Sequence, residues 1–323
     1  MPRPLRLLTT DRAPAYLRGL AALDARFDVL VADGDGLDAW WARLRELPES
    51  VRAIRPAQAS ERLARGVYDA VIAHSPSEAL ALGGAAPVVL VVHERRELAE
   101  AFGDAIADWD PQTRAAVGQA RMVYSSPEAA RSWAVDGPTI PLVVDAGDWP
   151  LGDLASPEAV TVTPFAVERA AFDTAYLLAQ VLARVPVTVL GLNPGLGIEQ
   201  DTAARPFRRR AFAHARAYLN LSSPAFETAA PSAMLEAMAS GLPVITLAHP
   251  DTPVVDGVNG FAADDPEQLA ARVGQLLLDQ ALALRLGSAA RATVLGRARV
   301  SAFHEAWAEL LAEVAGRSVR RVA

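Results

Sequence analysis

A glutamate one turn inside a predicted helix is the residue of this sequence best placed for chemistry. Pro231 and Ser232 suit the start of a helix, because proline loses no hydrogen bond there and serine can cap free amides. Strong helix formers continue to Ala239, and Gly241 stands where a left-handed residue often ends a helix. The start of such a helix attracts an anion, and Glu236 can accept hydrogen bonds from hydroxyl groups. The segment therefore predicts a site for a nucleotide-linked ligand.

The composition indicates two globular domains and excludes several kinds of site. The chain has 323 residues, of which 51% are hydrophobic and 21% charged, so it is too long for one ordinary core and too apolar for disorder. All 31 basic residues are arginine, which excludes lysine Schiff bases, pyridoxal phosphate enzymes and lysine-dependent phosphate loops. With no cysteine and 5 scattered histidines, we expect neither disulfides nor a metal site. The net charge of −7 argues against a nucleic-acid partner.

The sequence gives no sign of a membrane span or a secretion signal. No apolar run reaches the roughly 18 residues that cross a bilayer, and the first residues lack the pattern of a signal peptide. Trp40 and Trp41 begin an arginine-rich stretch that extends to Arg65 and could contact anionic lipid, but interspersed glutamates favour a solvated amphipathic helix. We therefore expect a cytoplasmic protein, with membrane contact not favoured. The sequence carries no signal for an oligomeric state.

Short apolar strands alternate with helices in both halves of the chain. This pattern predicts an α/β protein with two doubly wound Rossmann-like domains that face each other across a cleft, where ligands bind at the carboxyl ends of the strands. The predicted strands are 5–9, 27–31, 68–73, 87–92 and 122–124 in the first half, and 159–162, 187–191, 217–221, 243–246 and 260–262 in the second. The predicted helices include 13–23, 95–107, 173–182, 232–239, 266–278, 282–295 and 301–315. We place the domains at 1–147 and 148–300, with a helix in 301–323 that packs back on the first domain and a frayed tail.

The second half resembles the C-terminal domain of retaining glycosyltransferases of family 4, which have the GT-B fold. The features that carry the resemblance are Ser223, Pro231, 235–244, 256–261, 265–270, 285–291 and Trp307. The resemblance implies a nucleoside diphosphate sugar as donor, of UDP or GDP type, with no tightly bound cofactor and no metal. The first half matches the family only in layout.

The resemblance also assigns the donor-site residues. Glu236 matches the second acid of the family's E-x7-E motif and implies a clamp on the ribose hydroxyls, which charge-assisted hydrogen bonds would favour. The helix start after Pro231 implies that the amides of Ser232, Ala233 and Met234 face the diphosphate.

Gly191, Asn193 and His93 follow from the same resemblance, and His74 from its place in the predicted sheet. Gly191 and Asn193 resemble a glycine loop near the nucleotide base, although a turn of this kind after a strand is common. His93 follows an apolar strand and matches in position a histidine that lines the sugar site, and His74 ends the preceding strand in the same way.

The chain departs from the family at two charged positions. The first acid of E-x7-E falls on Thr228, with Glu227 one residue early, so these two residues are the candidates for contact with the transferred sugar. In the family's R-x4-K pair, Pro164 takes the arginine position and Arg169 the lysine position, so one phosphate cation is lost. The loss of one such group typically lowers the rate by about 10²–10³.

An arginine cluster could replace the lost cation. Arg205, Arg208, Arg209 and Arg210 stand before a predicted strand, where they either reach the phosphates or form a solvated helix face.

These features indicate a hexosyltransferase-type enzyme that transfers a sugar with retention to an acceptor of unknown type, a glycan, a lipid or a small molecule. The altered motif keeps open an inactive paralogue that acts as a binding or regulatory partner. A nucleotide-sugar 2-epimerase is a further alternative, which the motifs around Glu236 and 256–261 disfavour.

Overall fold

The computed structural model describes residues 3–31, 49–97, 111–167, 174–225, 227–297 and 299–316. The chain divides into two compact units, Met1–Val143 with Val300–Ala323, and Val144–Arg299. The boundaries expected from the sequence are 147 and 300. Each unit is a parallel sheet with helices, so the two α/β domains predicted from the sequence are confirmed.

In the first unit, the described strands form a six-stranded sheet in the order β3-β2-β1-β4-β5-β6. Its pairs are all parallel, and the chain reverses its direction of winding between β1 and β4. The strands are β1 (Leu5–Thr10), β2 (Ala25–Leu30), β3 (Val51–Ile54), β4 (Ala70–Ala73), β5 (Val88–Val92) and β6 (Arg121–Tyr124).

The described helices of this unit cover both faces of the sheet. They are α1 (Pro14–Ala21), α2 (Pro56–Ala64), α3 (Pro76–Leu82), α4 (Pro111–Gln119), α5 (Pro127–Trp133) and, from the end of the chain, α11 (Val300–Val314). Phe303 and Trp307 of α11 are buried against Tyr16 of α1, and the Trp307 indole nitrogen donates to the Tyr16 hydroxyl at 3.2 Å. The last helix therefore completes the core of the first unit.

Strand β3 corrects the sequence-based interpretation of the arginine-rich stretch. The alternation of arginines between 43 and 65 suggested one amphipathic helix, but Val51 and Ile54 are buried and pair with β2, and a helix begins only at Pro56. The strand was missed because four residues with an arginine at the second position give too short an apolar pattern. Trp40 and Trp41 lie outside the described residues, as does most of the helix predicted at 95–107.

In the second unit, the described strands form a five-stranded parallel sheet in the order β11-β10-β9-β7-β8. The strands are β7 (Ser156–Val162), β8 (Val187–Leu190), β9 (Ala215–Asn220), β10 (Val244–Leu247) and β11 (Gly260–Ala263). The described helices are α6 (Thr174–Leu182), α7 (Arg205–His214), α8 (Ser232–Ala239), α9 (Pro266–Leu278) and α10 (Gln280–Arg297). None of the helices in the described ranges combines the length and apolar composition needed to cross a membrane.

Helix α8 is held at its C-terminal end by backbone geometry. Gly241 has a φ of 81°, and the amides of Gly241 and Leu242 donate to the carbonyls of Met238 and Ala237, which is a Schellman cap. The guanidinium of Arg291 in α10 donates to the carbonyl of Ala239. The glycine that the sequence predicts at this position is therefore required by the turn.

Helices α8 and α10 also approach each other closely at a glycine. A Cβ on Gly287 of α10 would lie far inside van der Waals distance of the Gly241 carbonyl oxygen and close to Pro243. Only a residue without a side chain fits there, so the packing of α10 fixes the end of α8.

We expect Gly287→Ala to destabilise the second unit by about 1–3 kcal/mol, because the added methyl group overpacks against backbone that cannot move aside. Gly296→Ala is a matched control in the same helix, since its Cβ would meet nothing within 4 Å and alanine favours helix by up to about 1 kcal/mol. Urea unfolding followed by circular dichroism measures both changes. Equal stability of the two variants would contradict the close contact.

Candidate functional site

The candidate donor site lies where the second sheet changes its direction of winding. The chain passes from β7 outward to β8 and then returns to β9 on the other side, so the loops after β7 and β9 diverge at the carboxyl ends of the strands. Ligands of open parallel sheets bind at such a point. The loop after β9 leads to α8, and the turn at 163–167 follows β7.

Glu236, on the second turn of α8, forms a buried ion pair. Arg208 of α7 donates to Glu236 Oε2 from Nε at 2.7 Å and to Oε1 from Nη2 at 3.0 Å. The side chains are 16% and 6% exposed, respectively, so the pair is shielded from solvent. Such a two-pronged contact fixes both the orientation and the charge of the carboxylate. The sequence pattern predicts Glu236 but contains no signal for this partner, 28 residues away.

Two arginines of the predicted cluster pack against the ring of Trp149. The guanidinium carbons of Arg205 and Arg208 lie 5.3 and 5.9 Å from the Trp149 ring centroid. Arg205 is buried and pairs with Asp148 at 2.9 Å. The interpretation of the cluster as a solvated helix face is thus wrong for these two residues, although it describes exposed Arg210.

The first turn of α8 presents amides as the sequence predicts, with two corrections. Pro231 is the N-cap and Ser232 is the first helical residue, so the serine does not act as the cap. The Met234 amide donates to the Pro231 carbonyl at 3.0 Å and the Met234 side chain is fully buried, so this residue is not available to a ligand. Ser232 and Ala233 are half-buried, and no hydrogen bond from either amide is seen among the described residues.

The two candidates for the first acid of the motif have different surroundings. Glu227 closes its own loop, because its Oε2 accepts from the Ser223 amide at 2.8 Å and its amide donates to the Ser223 carbonyl at 2.9 Å. Thr228 is half-buried and stands next to this closed loop. The carboxylate of Glu227 thus stabilises the turn after β9.

The Tyr218 phenol in β9 lies within the electrostatic field of the buried pair. Burial raises the pKa of Tyr218 well above its ordinary value, a hydrogen bond to the Val162 backbone opposes this, and the charges of Arg208, Glu236 and Glu227 act more weakly.

The loop after β8 is fixed by Gly191 and Asn193. Gly191 has a φ of 121°, and a Cβ there would come within 2.8 Å of the Pro164 backbone. Asn193 is fully buried; its Oδ1 accepts from the Ala166 amide at 2.8 Å and its Nδ2 donates to the Gly191 carbonyl at 3.2 Å. Asn193 thus joins the loops after β7 and β8, a structural task that the family resemblance did not indicate. Pro164 lies in this junction, whereas Arg169 lies outside the described residues.

The first unit contains a cluster of hydrogen-bonded polar side chains at the carboxyl ends of its strands. Thr9 Oγ1 at the end of β1 lies 3.1 Å from His74 Nε2, and His74 Nδ1 lies 2.8 Å from His93 Nε2. Tyr16 packs its ring edge-on to His93 at 5.0 Å. Because a neutral imidazole has one donor and one acceptor, the proton position on each ring depends on its neighbour. The sequence predicts His93 and, less strongly, His74 at this edge, but not their hydrogen bond.

Both histidines are held in the neutral form. Burial, and secondarily the positive charge of Arg12, lowers the pKa of His93 to about 4. Burial, the adjacent His93 ring and Arg12 hold the pKa of His74 well below its ordinary value. At neutral pH this pair can therefore exchange hydrogen bonds but carries no charge.

We expect the free energy of unfolding to decrease as the pH falls from about 6.5 towards 4, because the unfolded histidines bind protons near pH 6.5 and folded His93 does so only near pH 4. Each histidine adds up to about 1.4 kcal/mol per pH unit in this window. His93→Gln should flatten the slope in urea unfolding experiments. An unchanged slope in the His93 variant would contradict a neutral folded imidazole.

Comparison with known families supports the interpretation of the second unit. Residues 200–279 match the family described as "Glycosyl transferases group 1". The matched segment runs from α7 to the end of α9 and contains Arg208 and Glu236. None of the curated proteins compared with the chain matches its sequence.

Solved structures resemble the whole chain in fold. Anabaena HepE in complex with UDP-glucose superposes with a TM-score of 0.69 at 17% identity, over 96% of this chain and 100% of that protein. Sucrose-phosphate synthase from Thermosynechococcus elongatus gives 0.68 at 15% identity, over 97% and 100%. A point mutant of S. aureus TarM, in complex with fondaparinux, alpha-GlcNAc-glycerol and UDP, gives 0.57 at 16% identity, over 79% and 58%. The chain therefore has the GT-B fold predicted from its sequence, and about a quarter of it, around Arg208 and Glu236, matches a glycosyltransferase family.

Proposed function

We propose that this chain is a retaining glycosyltransferase that uses a nucleoside diphosphate sugar as donor. The observation that carries the proposal is the position of Glu236, at the start of the helix that follows β9, inside the segment that matches group 1 glycosyl transferases. HepE binds UDP-glucose and the TarM mutant binds UDP, which supports a UDP-type donor here. A glycan acceptor is favoured because the TarM mutant also binds fondaparinux.

The ion pair with Arg208 orients Glu236 for ribose. Arg208 donates once to each carboxylate oxygen, and an ionised carboxylate has about four acceptor positions. We expect the vicinal hydroxyls of ribose to donate to the same two oxygens. Arg208 acts as a positioning residue, which keeps Glu236 ionised and holds it in one rotamer before the nucleotide binds.

The start of α8 supplies the diphosphate contacts. The amides of Ser232 and Ala233 lie in the first turn, where the helix dipole favours an anion. We assign Arg169 as the cation for the same phosphates. Pro164, at the position of the family's arginine, carries no charge. Thr228 and Glu227 remain the proposed contacts for the transferred sugar.

Retention requires the acceptor to attack from the face that the diphosphate leaves. The bond from the anomeric carbon to the phosphate oxygen breaks, the bond to the acceptor oxygen forms on the same side, and the acceptor proton passes to the departing phosphate oxygen. The diphosphate thus acts as its own base, and the protein supplies orientation and charge. Neutral His93 is the candidate of the first unit for a hydrogen bond to a sugar hydroxyl.

The second candidate function is a catalytically inactive paralogue that retains the nucleotide site. Glu227 is engaged by the Ser223 amide, Thr228 has no charge, and Pro164 removes one cation. These differences weaken the sugar and phosphate contacts but leave Glu236 and the amides of α8 intact. Binding without turnover is the result that distinguishes this function from an enzyme.

We expect calorimetry to show binding of UDP, and GDP and ADP are titrated separately to compare the bases. Glu236→Ala should lower the affinity at least about tenfold, since hydrogen bonds to charged groups contribute about 1.5–3 kcal/mol each. Glu267→Ala is the matched control, because Glu267 is an exposed glutamate in the first turn of α9. No binding of any of the three nucleotides would contradict the donor site.

Arg208→Gln tests the role of the ion pair in the same titration. If Arg208 positions Glu236, the variant binds UDP more weakly than the wild type, by up to about tenfold for one lost charge-assisted contact. If Arg208 instead competes with ribose for the carboxylate, the variant binds more tightly. Tighter binding would overturn the positioning role but not the donor site itself.

Turnover and stereochemistry are tested together with UDP-glucose and a panel of glycan acceptors. We expect release of UDP and a product whose anomeric configuration, measured by nuclear magnetic resonance, equals that of the donor. An inverted product would contradict retention. UDP binding without any release of UDP from UDP-glucose, with or without acceptor, would favour the inactive paralogue.

A further inference from the structure

A cluster of arginines surrounds a cavity in the first unit, far along the chain from the residues of the donor site. The cavity has a volume of about 300 Å³. We call it the arginine pocket; it is lined by Arg6, Arg26, Asp28, Arg52, Arg62, Arg65, Val67 and Tyr68. Five guanidinium groups thus share one space with a single carboxylate.

Strand register explains why these side chains meet. Arg6 of β1 is the register partner of Arg26 in β2, and Asp28 of β2 is the partner of Arg52 in β3. Since side chains two residues apart on a strand share a face, all four project from the same side of the sheet. Arg62, in the last turn of α2, reaches this face from above. The pocket lies towards the amino ends of the strands, at the opposite end of the sheet from His74.

The one carboxylate of the pocket is already fully used. Asp28 is buried and accepts from Arg52 at 2.9 Å, from Arg62 at 2.6 Å and from the Tyr68 hydroxyl at 2.8 Å. Arg65 pairs outside the pocket with Glu61 at 3.3 Å, a contact between two exposed side chains that is worth little. Asp28 therefore cannot balance the remaining charge.

Two arginines are left without an anion. Among the described residues, the side chains of Arg6 and Arg26 make no hydrogen bond or ion pair. Like charges that line one cavity repel each other, although Arg6 and Arg26 are exposed, so water screens part of this repulsion. An anion in the cavity would replace this repulsion with attraction and would satisfy the fork-shaped donors of both side chains.

We infer that the arginine pocket binds a phosphate group, carried either by a small soluble molecule or by a lipid headgroup. Guanidinium groups bind phosphate with paired, charge-assisted hydrogen bonds, and a volume of about 300 Å³ accommodates a pyrophosphate or a phosphorylated sugar. The site is independent of the proposed function, since none of its residues belongs to the second unit.

The test is a titration of the full-length protein with pyrophosphate, followed by calorimetry. We expect wild-type protein to bind pyrophosphate in the arginine pocket. The double variant Arg6→Gln/Arg26→Gln should lose this bound equivalent or bind it at least about tenfold more weakly, whatever the amides of α8 bind in both proteins. Arg210→Gln controls for the loss of an exposed arginine elsewhere and should retain this equivalent. No pyrophosphate binding, or binding that the double variant leaves unchanged, would overturn the inference.

Thermal unfolding shows that the double variant folds and adds a second readout. Without pyrophosphate the double variant should unfold at the same or a higher temperature than the wild type, because like-charge repulsion is removed. Pyrophosphate should raise the unfolding temperature of the wild type and of Arg210→Gln by more than that of the double variant. An equal rise in all three proteins would overturn the inference.

Vesicle sedimentation identifies the source of the phosphate group. Vesicles of phosphatidylcholine with and without phosphatidic acid are mixed with the wild type and the double variant. Sedimentation that requires both phosphatidic acid and the two arginines assigns a lipid headgroup. Pyrophosphate binding without such sedimentation assigns a soluble phosphate compound.

Discussion

The second unit depends on a carboxylate that is buried and must therefore be paired. An ionised group that is shielded from water is costly unless an opposite charge and good hydrogen bonds compensate it. Arg208 meets this need for Glu236, and Trp149 stacks on the same guanidinium, so α7, α8 and the turn before β7 are tied to one point. Removal of either partner leaves a buried charge, which typically costs about 3–5 kcal/mol. The pair thus joins the stability of the unit to the geometry of its candidate site.

Many of the residues that carry the family resemblance hold backbone in place. Asn259 is buried, accepts from the Val255 amide and donates to the Pro253 carbonyl, so it builds the loop between β10 and β11. Gly260 has room only for a hydrogen atom beside the Val244 backbone, and Gly241 ends α8 in a left-handed turn. The match of this segment to a glycosyltransferase family therefore rests in part on residues that hold backbone in place.

The sequence predicts this fold well because its strands are apolar and regularly spaced. The two ends of α8 also have local signals, Pro231 at the start and Gly241 after the end. It predicts Glu236 for the same reason. It does not predict the partner of Glu236, because no local sequence signal distinguishes Arg208 from other arginines on a helix. Only the folded chain brings Arg208 of α7 to Glu236 of α8. Nor does it show that Asn193 is fully buried, since a turn residue that anchors two loops and one that contacts a ligand have the same local sequence.

The two ends of the first sheet show how charge depends on residue type. At the carboxyl ends, His74 and His93 escape the cost of burial by remaining neutral, which imidazole can do near neutral pH. At the amino ends the basic residues are arginines, and a guanidinium does not lose its proton in a protein. Lysine could relieve mutual repulsion by a lowered pKa, whereas Arg6 and Arg26 remain charged and rely on water and salt to screen them, since both are exposed. Because strand pairing fixes their Cα atoms side by side, one bound anion would contact both guanidinium groups.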